Sequence, residues 1–236
     1  TAIDKVSTTL ANEGRRVTHI RRCSWVDIPG EDRKYIATTA NGFFDSLHGW
    51  ADDYRYKSLV GIVNVSYSVA QRMIEKYAES HFNPDIVLVG RDSNLDPFAY
   101  SAYYFPFVKH LSAKRRIQIA SLLHGGQIFD RVFYFDVDPL LAYERILQRI
   151  EREKHYGAKD MAKWTHMHEN PDDLKFLRKQ FEVSLELLVR KNGTNIIRID
   201  AAKPQEDVVL EILSNINLAV NNVVQELPSS KNCNHK

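Results

Sequence analysis

Three short apolar runs, each stopped by a charge or a turn residue, set the rhythm of the chain: Ile86 to Val89 (IVLV) before Gly90, Val132 to Val137 (VFYFDV), and Asn195 to Ile199 (NIIRI). Continuous aliphatic runs of this length are the pattern of parallel strands covered on both faces. Arg16 to Arg21 (RVTHIR) alternates instead, as a short strand does. Between these runs apolar residues recur at helical spacing. Thr1 to Asn12 has Ile3, Val6 and Leu10, with Gly14 as a stop. Tyr54 to Ser80 is the longest, marked by Leu59, Ile62, Val63, Tyr67, Val69, Met73, Ile74 and Tyr77. Pro97 to His110 and Ala113 to Leu123 are two more helices, broken near Ser112. Asp138-Pro139 opens a helix running to about Lys154, with proline in its first turn. Asp172 to Lys191 and Glu206 to Gln225 follow the same period. Arg22 to Asp53 is irregular, with a turn at Pro29-Gly30 and a helical stretch at Tyr35 to Leu47.

Strands alternating with helices predict an α/β fold: a three-layer α/β/α arrangement with helices on both faces of a parallel sheet. The expected organisation is one domain over 1–226, with a mobile lid at about 155–171 and a polar, disordered tail at 227–236.

Composition narrows the class without naming a function. At 236 residues the chain can bury a sizeable core, and 44% hydrophobic with 26% charged residues is ordinary for a globular protein. A net charge of +2 gives no argument for nucleic acid. Cys23 and Cys233 stand near opposite ends, which fits a reducing cytosol better than a disulfide framework. No apolar run is long enough for a bilayer and the start has no signal pattern. The expectation is a cytoplasmic protein with neither a membrane nor a nucleic-acid partner.

In open α/β sheets ligands bind beyond the carboxyl ends of the strands. There the sequence puts Arg91 and Asp92, directly after Gly90, in the stretch DIVLVGRDSNLDPFAY (Asp85 to Tyr100). Arg145 and Arg149 share one helix face by their spacing of four, with Glu144 and Glu151 as alternative ion-pair partners. Asp136 and Asp138 look like a metal pair, but an aspartate ahead of Pro139 is better placed to cap the helix. Tyr100, Tyr103 and Tyr104 can stack on a base or simply fill a core. His155, His166 and His168 lack the ligand set of a zinc site.

These pieces resemble the thymidylate kinase family of P-loop nucleoside monophosphate kinases. The likeness rests on the arginine turn followed by Ala99-Tyr100, on Phe133 to Ile146 (FYFDVDPLLAYERI), on Glu169 to Leu188, and on Ile199 to Pro204 (IDAAKP). It implies transfer of the γ-phosphoryl of ATP, with Mg²⁺, to a nucleoside monophosphate most like dTMP. Arg91, Asp92, Arg145 and Arg149 would be catalytic, with Asp92 also orienting the metal. Arg21 or Arg22 and Tyr100 would bind the acceptor. Thr1, Ala202, Lys203 and Pro204 would face the ATP, the last three lining its adenine. The family also forms dimers through helices, and the long helix at Tyr54 to Ser80 suits that role. Alternatives are a deoxynucleoside kinase and a non-catalytic relative kept for binding or assembly.

The chain departs from the family in three ways. The phosphate loop G-x-x-x-x-G-K-[ST] occurs nowhere in it. Thr1 to Arg16 resembles the helix after that loop, so the resemblance leaves the first, central strand and the loop absent. Arg91 precedes Asp92, whereas the family has aspartate first. The family's Ala-x-Arg substrate contact is not found in Tyr54 to Ser80.

Overall fold

The computed structural model describes residues 1–22, 25–27, 34–35, 46–51, 56–90, 95–124, 129–155, 168–192 and 195–226. Its first helix is α1 (Ala2–Asn12), where Thr1 Oγ donates to Asp4 Oδ2 at 2.6 Å. Strand β1 (Val17–Arg22) follows, then two short strands, β2 (Trp25–Asp27) and β3 (Lys34–Tyr35). Helix α2 (Lys57–Phe82) leads to β4 (Ile86–Val89). Helix α3 (Leu95–Tyr104), a 3₁₀ turn (Pro106–His110) and α4 (Ala113–His124) come next. Then follow β5 (Arg131–Asp136), α5 (Pro139–His155), α6 (Pro171–Asn192), β6 (Asn195–Asp200) and α7 (Gln205–Glu226).

Local chemistry explains several of these boundaries. Helix α2 stops at Asn83, which takes the left-handed conformation (φ 42°, ψ 55°); asparagine tolerates it and Pro84 cannot continue a helix. Asp85 then grips Arg16, accepting from its backbone N–H at 2.9 Å and from its guanidinium at 2.6 Å. That clamp fixes the start of β1 beside the start of β4. The side-chain bond from Arg16, followed by the backbone bond, holds the Asp85 carboxyl down to about 2.

Strand β1 runs parallel to β4, pairing Val17 with Ile86 and Ile20 with Val89. Strand β5 runs parallel to β6, pairing Arg131 with Asn195 and Asp136 with Asp200. The parallel pairs agree with the aliphatic runs. The antiparallel extension β3-β2-β1 corrects the irregular reading of Arg22 to Asp53; strands of three and two residues are too short for an alternation to register. Tyr35 lies in β3, not at the head of a helix; 36–45 fall outside the described residues and 46–51 are helical. The sheet is also divided, in the order β3-β2-β1-β4 and β5-β6. The expected break near Ser112 is joined by an earlier one, where the 3₁₀ turn opens at Pro106 after α3.

Three layers result. On one face α1 and α7 pack across both parts of the sheet: Val6, Leu10, Val209 and Ile212 meet Val17, Leu88, Phe133 and Ile199. On the other, Ile74 and Ala78 of α2 cover Ile20 and Val87. Phe98 of α3, Ile117 of α4 and Leu185 of α6 cover Val132 and Ile196. Fully buried residues such as Leu10 and Ile20 contribute about 1.5–3 kcal/mol each. Helices α2 and α3 touch closely at Gly61, where a Cβ would come within 2.7 Å of the Phe105 ring and 2.8 Å of Tyr104 Cβ. Only glycine fits that contact.

Candidate functional site

The register of β5 and β6 sets Asp136 and Asp200 side by side at the strands' carboxyl ends. The turn after β6 is tied down there. Ala201 N–H donates to the Asp136 carbonyl at 2.8 Å, and Ala202 N–H to Asp200 Oδ1 at 2.9 Å. From α5, Arg145 donates to the carbonyls of Ala201 at 2.6 Å and Ala202 at 3.3 Å. Lys203 points to α7, where its Nζ meets Glu211 at 3.0 Å and is pushed up by that bond. Ala202, Lys203 and Pro204 thus form an exposed, pinned rim, and Arg145 builds it.

Asp136 is occupied by α6. Arg178 meets it in two-pronged fashion, Nε at 2.9 Å and a terminal nitrogen at 3.1 Å, while Arg198 stands 3.7 Å away. The carboxylate raises the Arg178 pKa through that side-chain bond. Burial, then Asp136, pushes the neighbouring Tyr134 phenol up. Asp138 caps α5, accepting from Leu140 N–H at 2.9 Å. The capping alternative therefore holds and the metal pair does not form; among the described residues no three His, Cys, Asp or Glu side chains cluster as metal ligands.

Arg149 lies one turn along α5 from Arg145 but engages a different segment. It pairs with Glu169 at 3.0 and 3.2 Å, just before α6. Next to Glu169, His168 Nδ1 shares a hydrogen bond with Tyr104 Oη at 3.1 Å. Asn170 caps α6 by accepting from Asp173 N–H. Here a cluster of rings gathers: Tyr100 stacks on Tyr104 and stands edge-on to His168 (5.1 Å) and Phe181 (6.0 Å). Tyr103 Oη donates to Asp173 at 2.9 Å, and Lys57 Nζ lies 4.1 Å over the Tyr103 ring. Tyr103 and Tyr104 are buried; Tyr100 is half-buried.

The structure therefore brings Arg145 to the Ala202–Pro204 rim, and Arg149 toward the Tyr100 cluster. Arg91, Asp92 and His166 fall outside the described residues, and of Arg21 and Arg22 only the backbone is described. Thr1 caps α1 through Asp4. Arg178, Glu169, Asp173 and Lys57 were not singled out from sequence. Their partners lie 20 to 70 residues away or on other helices, so spacing carried no signal. Arg145 is held by the carbonyls of Ala201 and Ala202, and Arg149 by the carboxylate of Glu169.

No family model matches the chain, and none of the curated proteins matches it in sequence. A solved structure does match in fold: the deoxyadenosine kinase from M. mycoides, described with the products dCMP and a flexible dCDP bound. The similarity has a TM-score of 0.53 at 15% identity, covering 91% of this chain and 93% of that one. The chain has a three-layer α/β/α architecture, a fold it shares with that kinase.

Proposed function

We propose that the protein is an ATP-dependent kinase acting on a nucleoside-type acceptor. The observation that supports this most is the likeness to a deoxynucleoside kinase over nearly the whole of both chains. In this reading the Ala202–Pro204 rim, held by Arg145, receives the adenine. Phosphoryl transfer depends on positioned positive charge, and a planar guanidinium grips phosphate oxygens in pairs. Arg149 and Arg91 supply it, with Arg21 or Arg22 at the acceptor and Tyr100 beside the base. Bound Mg²⁺ would neutralise the phosphates, and Asp92 is the residue proposed to orient it.

The acceptor is a deoxynucleoside hydroxyl in the reading favoured by the fold likeness. A second reading, a monophosphate most like dTMP, is favoured by the FYFDVDP and IDAAKP segments. Incubation with ATP, Mg²⁺ and a panel of nucleosides and monophosphates separates the two. Turnover of nucleosides alone removes the monophosphate reading, and turnover of monophosphates alone removes the other. No turnover of either, with sound folding, removes the kinase. In an active protein Arg149→Ala should lower turnover far more than it weakens substrate binding; unchanged activity would take Arg149 out of the site.

A further inference from the structure

We propose that the 3₁₀ turn, the start of α4 and the adjoining part of α6 form a surface that binds peripherally to an anionic lipid bilayer. Between Asp96 and Asp130 the chain has no acidic residue, where its 30 among 236 would place about four. The same stretch holds Lys109, Lys114, Arg115 and Arg116, with His110 among them. Single lysines on a surface are ordinary. A stretch of this length with cations and no carboxylate concentrates one sign of charge.

The fold adds cations from elsewhere in the sequence. Lys109 Nζ lies 4.9 Å over the Phe176 ring, and Arg116 donates to Gln180 Oε1 at 2.8 Å. Phe176 and Gln180 are one turn apart on α6, so the 3₁₀ turn and the start of α4 run alongside that helix. Lys175 and Lys179 each precede one of these contact residues, and both are exposed beside the seam. Two rows of cations thus lie side by side: Lys109, Lys114 and Arg115 in one, Lys175 and Lys179 in the other. All five are exposed, and none pairs with a carboxylate among the described residues. By contrast, Lys5, Arg16, Arg149, Arg178 and Lys203 each hold a carboxylate within 3.0 Å. Of the two acids in the first turn of α6, Asp173 is taken by Tyr103 and Asn170, which leaves Asp172 against the five.

The arrangement favours a lipid plane over other anions. Cations spread in two rows over three elements match a plane of headgroups, whereas a nucleic-acid strand or an acidic peptide follows a line. Four of the five are lysines, point charges on apolar stems; paired recognition of nucleic-acid phosphates relies on arginine. Phe107, 69% exposed, stands on the 3₁₀ turn two residues before Lys109. Such a ring seats at the boundary of headgroups and acyl chains while the lysines around it reach the charged headgroups. Clusters of this many cations are drawn to acidic leaflets. No helix among the described residues is long and apolar enough to cross a membrane, so the contact is peripheral. The expectation of no membrane partner rested on spanning segments, which a peripheral contact does not need.

Co-sedimentation of the full chain with vesicles tests this. Phosphatidylcholine vesicles with about 30% phosphatidylserine should bind it at least about 10-fold more tightly than phosphatidylcholine alone, and about 0.5 M salt should release it. Lys114→Glu combined with Arg115→Glu should weaken binding about 100-fold or more, with unchanged helical circular dichroism. Lys175→Glu combined with Lys179→Glu, on a different helix, should do the same. Phe107→Ser, which leaves the charge alone, should cost about 10-fold. Equal binding to both kinds of vesicle, binding to neither, or indifference to both double variants or to Phe107→Ser would each overturn the proposal. So would a single-stranded oligonucleotide or a polyglutamate peptide that binds more tightly than the acidic vesicles. None of these readings depends on kinase activity, so a failed activity panel leaves this test standing.

Discussion

The two ends of the candidate site are held by different forces. At the carboxyl ends of β5 and β6, ionic and main-chain bonds fix everything: Arg178 on Asp136, Arg145 on two carbonyls, Lys203 on Glu211. Between α3 and α6 the holding is aromatic, with polar tips: Tyr100, Tyr103 and Tyr104 around His168. Directional bonds to backbone keep the rim in one shape, which is what the proposed adenine contact requires. A wall of packed rings holds by shape instead, as the proposed acceptor base would require. The difference also says where each end should fail.

Arg178→Ala should show the ionic end at its most sensitive. Among the described residues it leaves the part-buried Asp136 facing Arg198 at 3.7 Å. Both partners keep some exposure, so the loss falls below that of a fully buried pair, at about 2–3 kcal/mol, measured by urea unfolding. A change under 0.5 kcal/mol would mean that solvent already screens the pair. The aromatic end should respond to crowding: Gly61→Ala drives a methyl against Phe105 and Tyr104. The expected cost is about 1–2 kcal/mol, net of alanine's better helix propensity. A gain in stability would show the α2–α3 contact to be yielding. Tyr104→Phe removes the bond to His168 with the ring retained, at about 1 kcal/mol, and hydrogen exchange should rise first near the start of α6.

The smallest effect lies outside both ends and serves as a control. Asp85 has its folded pKa depressed to about 2 from 3.8 by exposed Arg16. A depressed carboxylate stabilises the fold above its ordinary pKa, and the contribution fades as pH falls from about 4 toward 2. Asp85→Asn should therefore lower the melting temperature slightly at pH 7 and leave it equal to wild type near pH 2. A constant gap across that range would mean that the carboxylate charge is irrelevant to the clamp.

Much of this fold is legible in the chain because β4, β5 and β6 contain short apolar runs, β1 alternates and the helices keep their period. Asp138 as a cap could be foreseen, since Pro139 marks the first turn and leaves the preceding residue at the cap. The β2–β3 extension could not: its strands are too short to show a period. Within the candidate site the partners were not legible. Arg145 and Arg149 differ by one turn on one helix, yet backbone carbonyls 56 residues away hold the first and a carboxylate 20 residues away holds the second. Nothing local distinguishes them.

The contact of α1 with α7 bears on how the chain reaches this structure. Val6 and Leu10 share a core cluster with Ile212 and Ile216, and Lys5 meets Glu206 at 2.8 Å. Residues near one end of the sequence thus wait for residues near the other before their apolar faces are covered. During synthesis α1 emerges before α7, so this layer closes only after the chain between Lys5 and Glu206, 201 residues apart in sequence, has been made. Such long-range closure slows folding and leaves apolar strand faces open in the interval. Refolding should accordingly pass through a state in which α2 has settled on β1 and β4 while their opposite face still binds a hydrophobic dye.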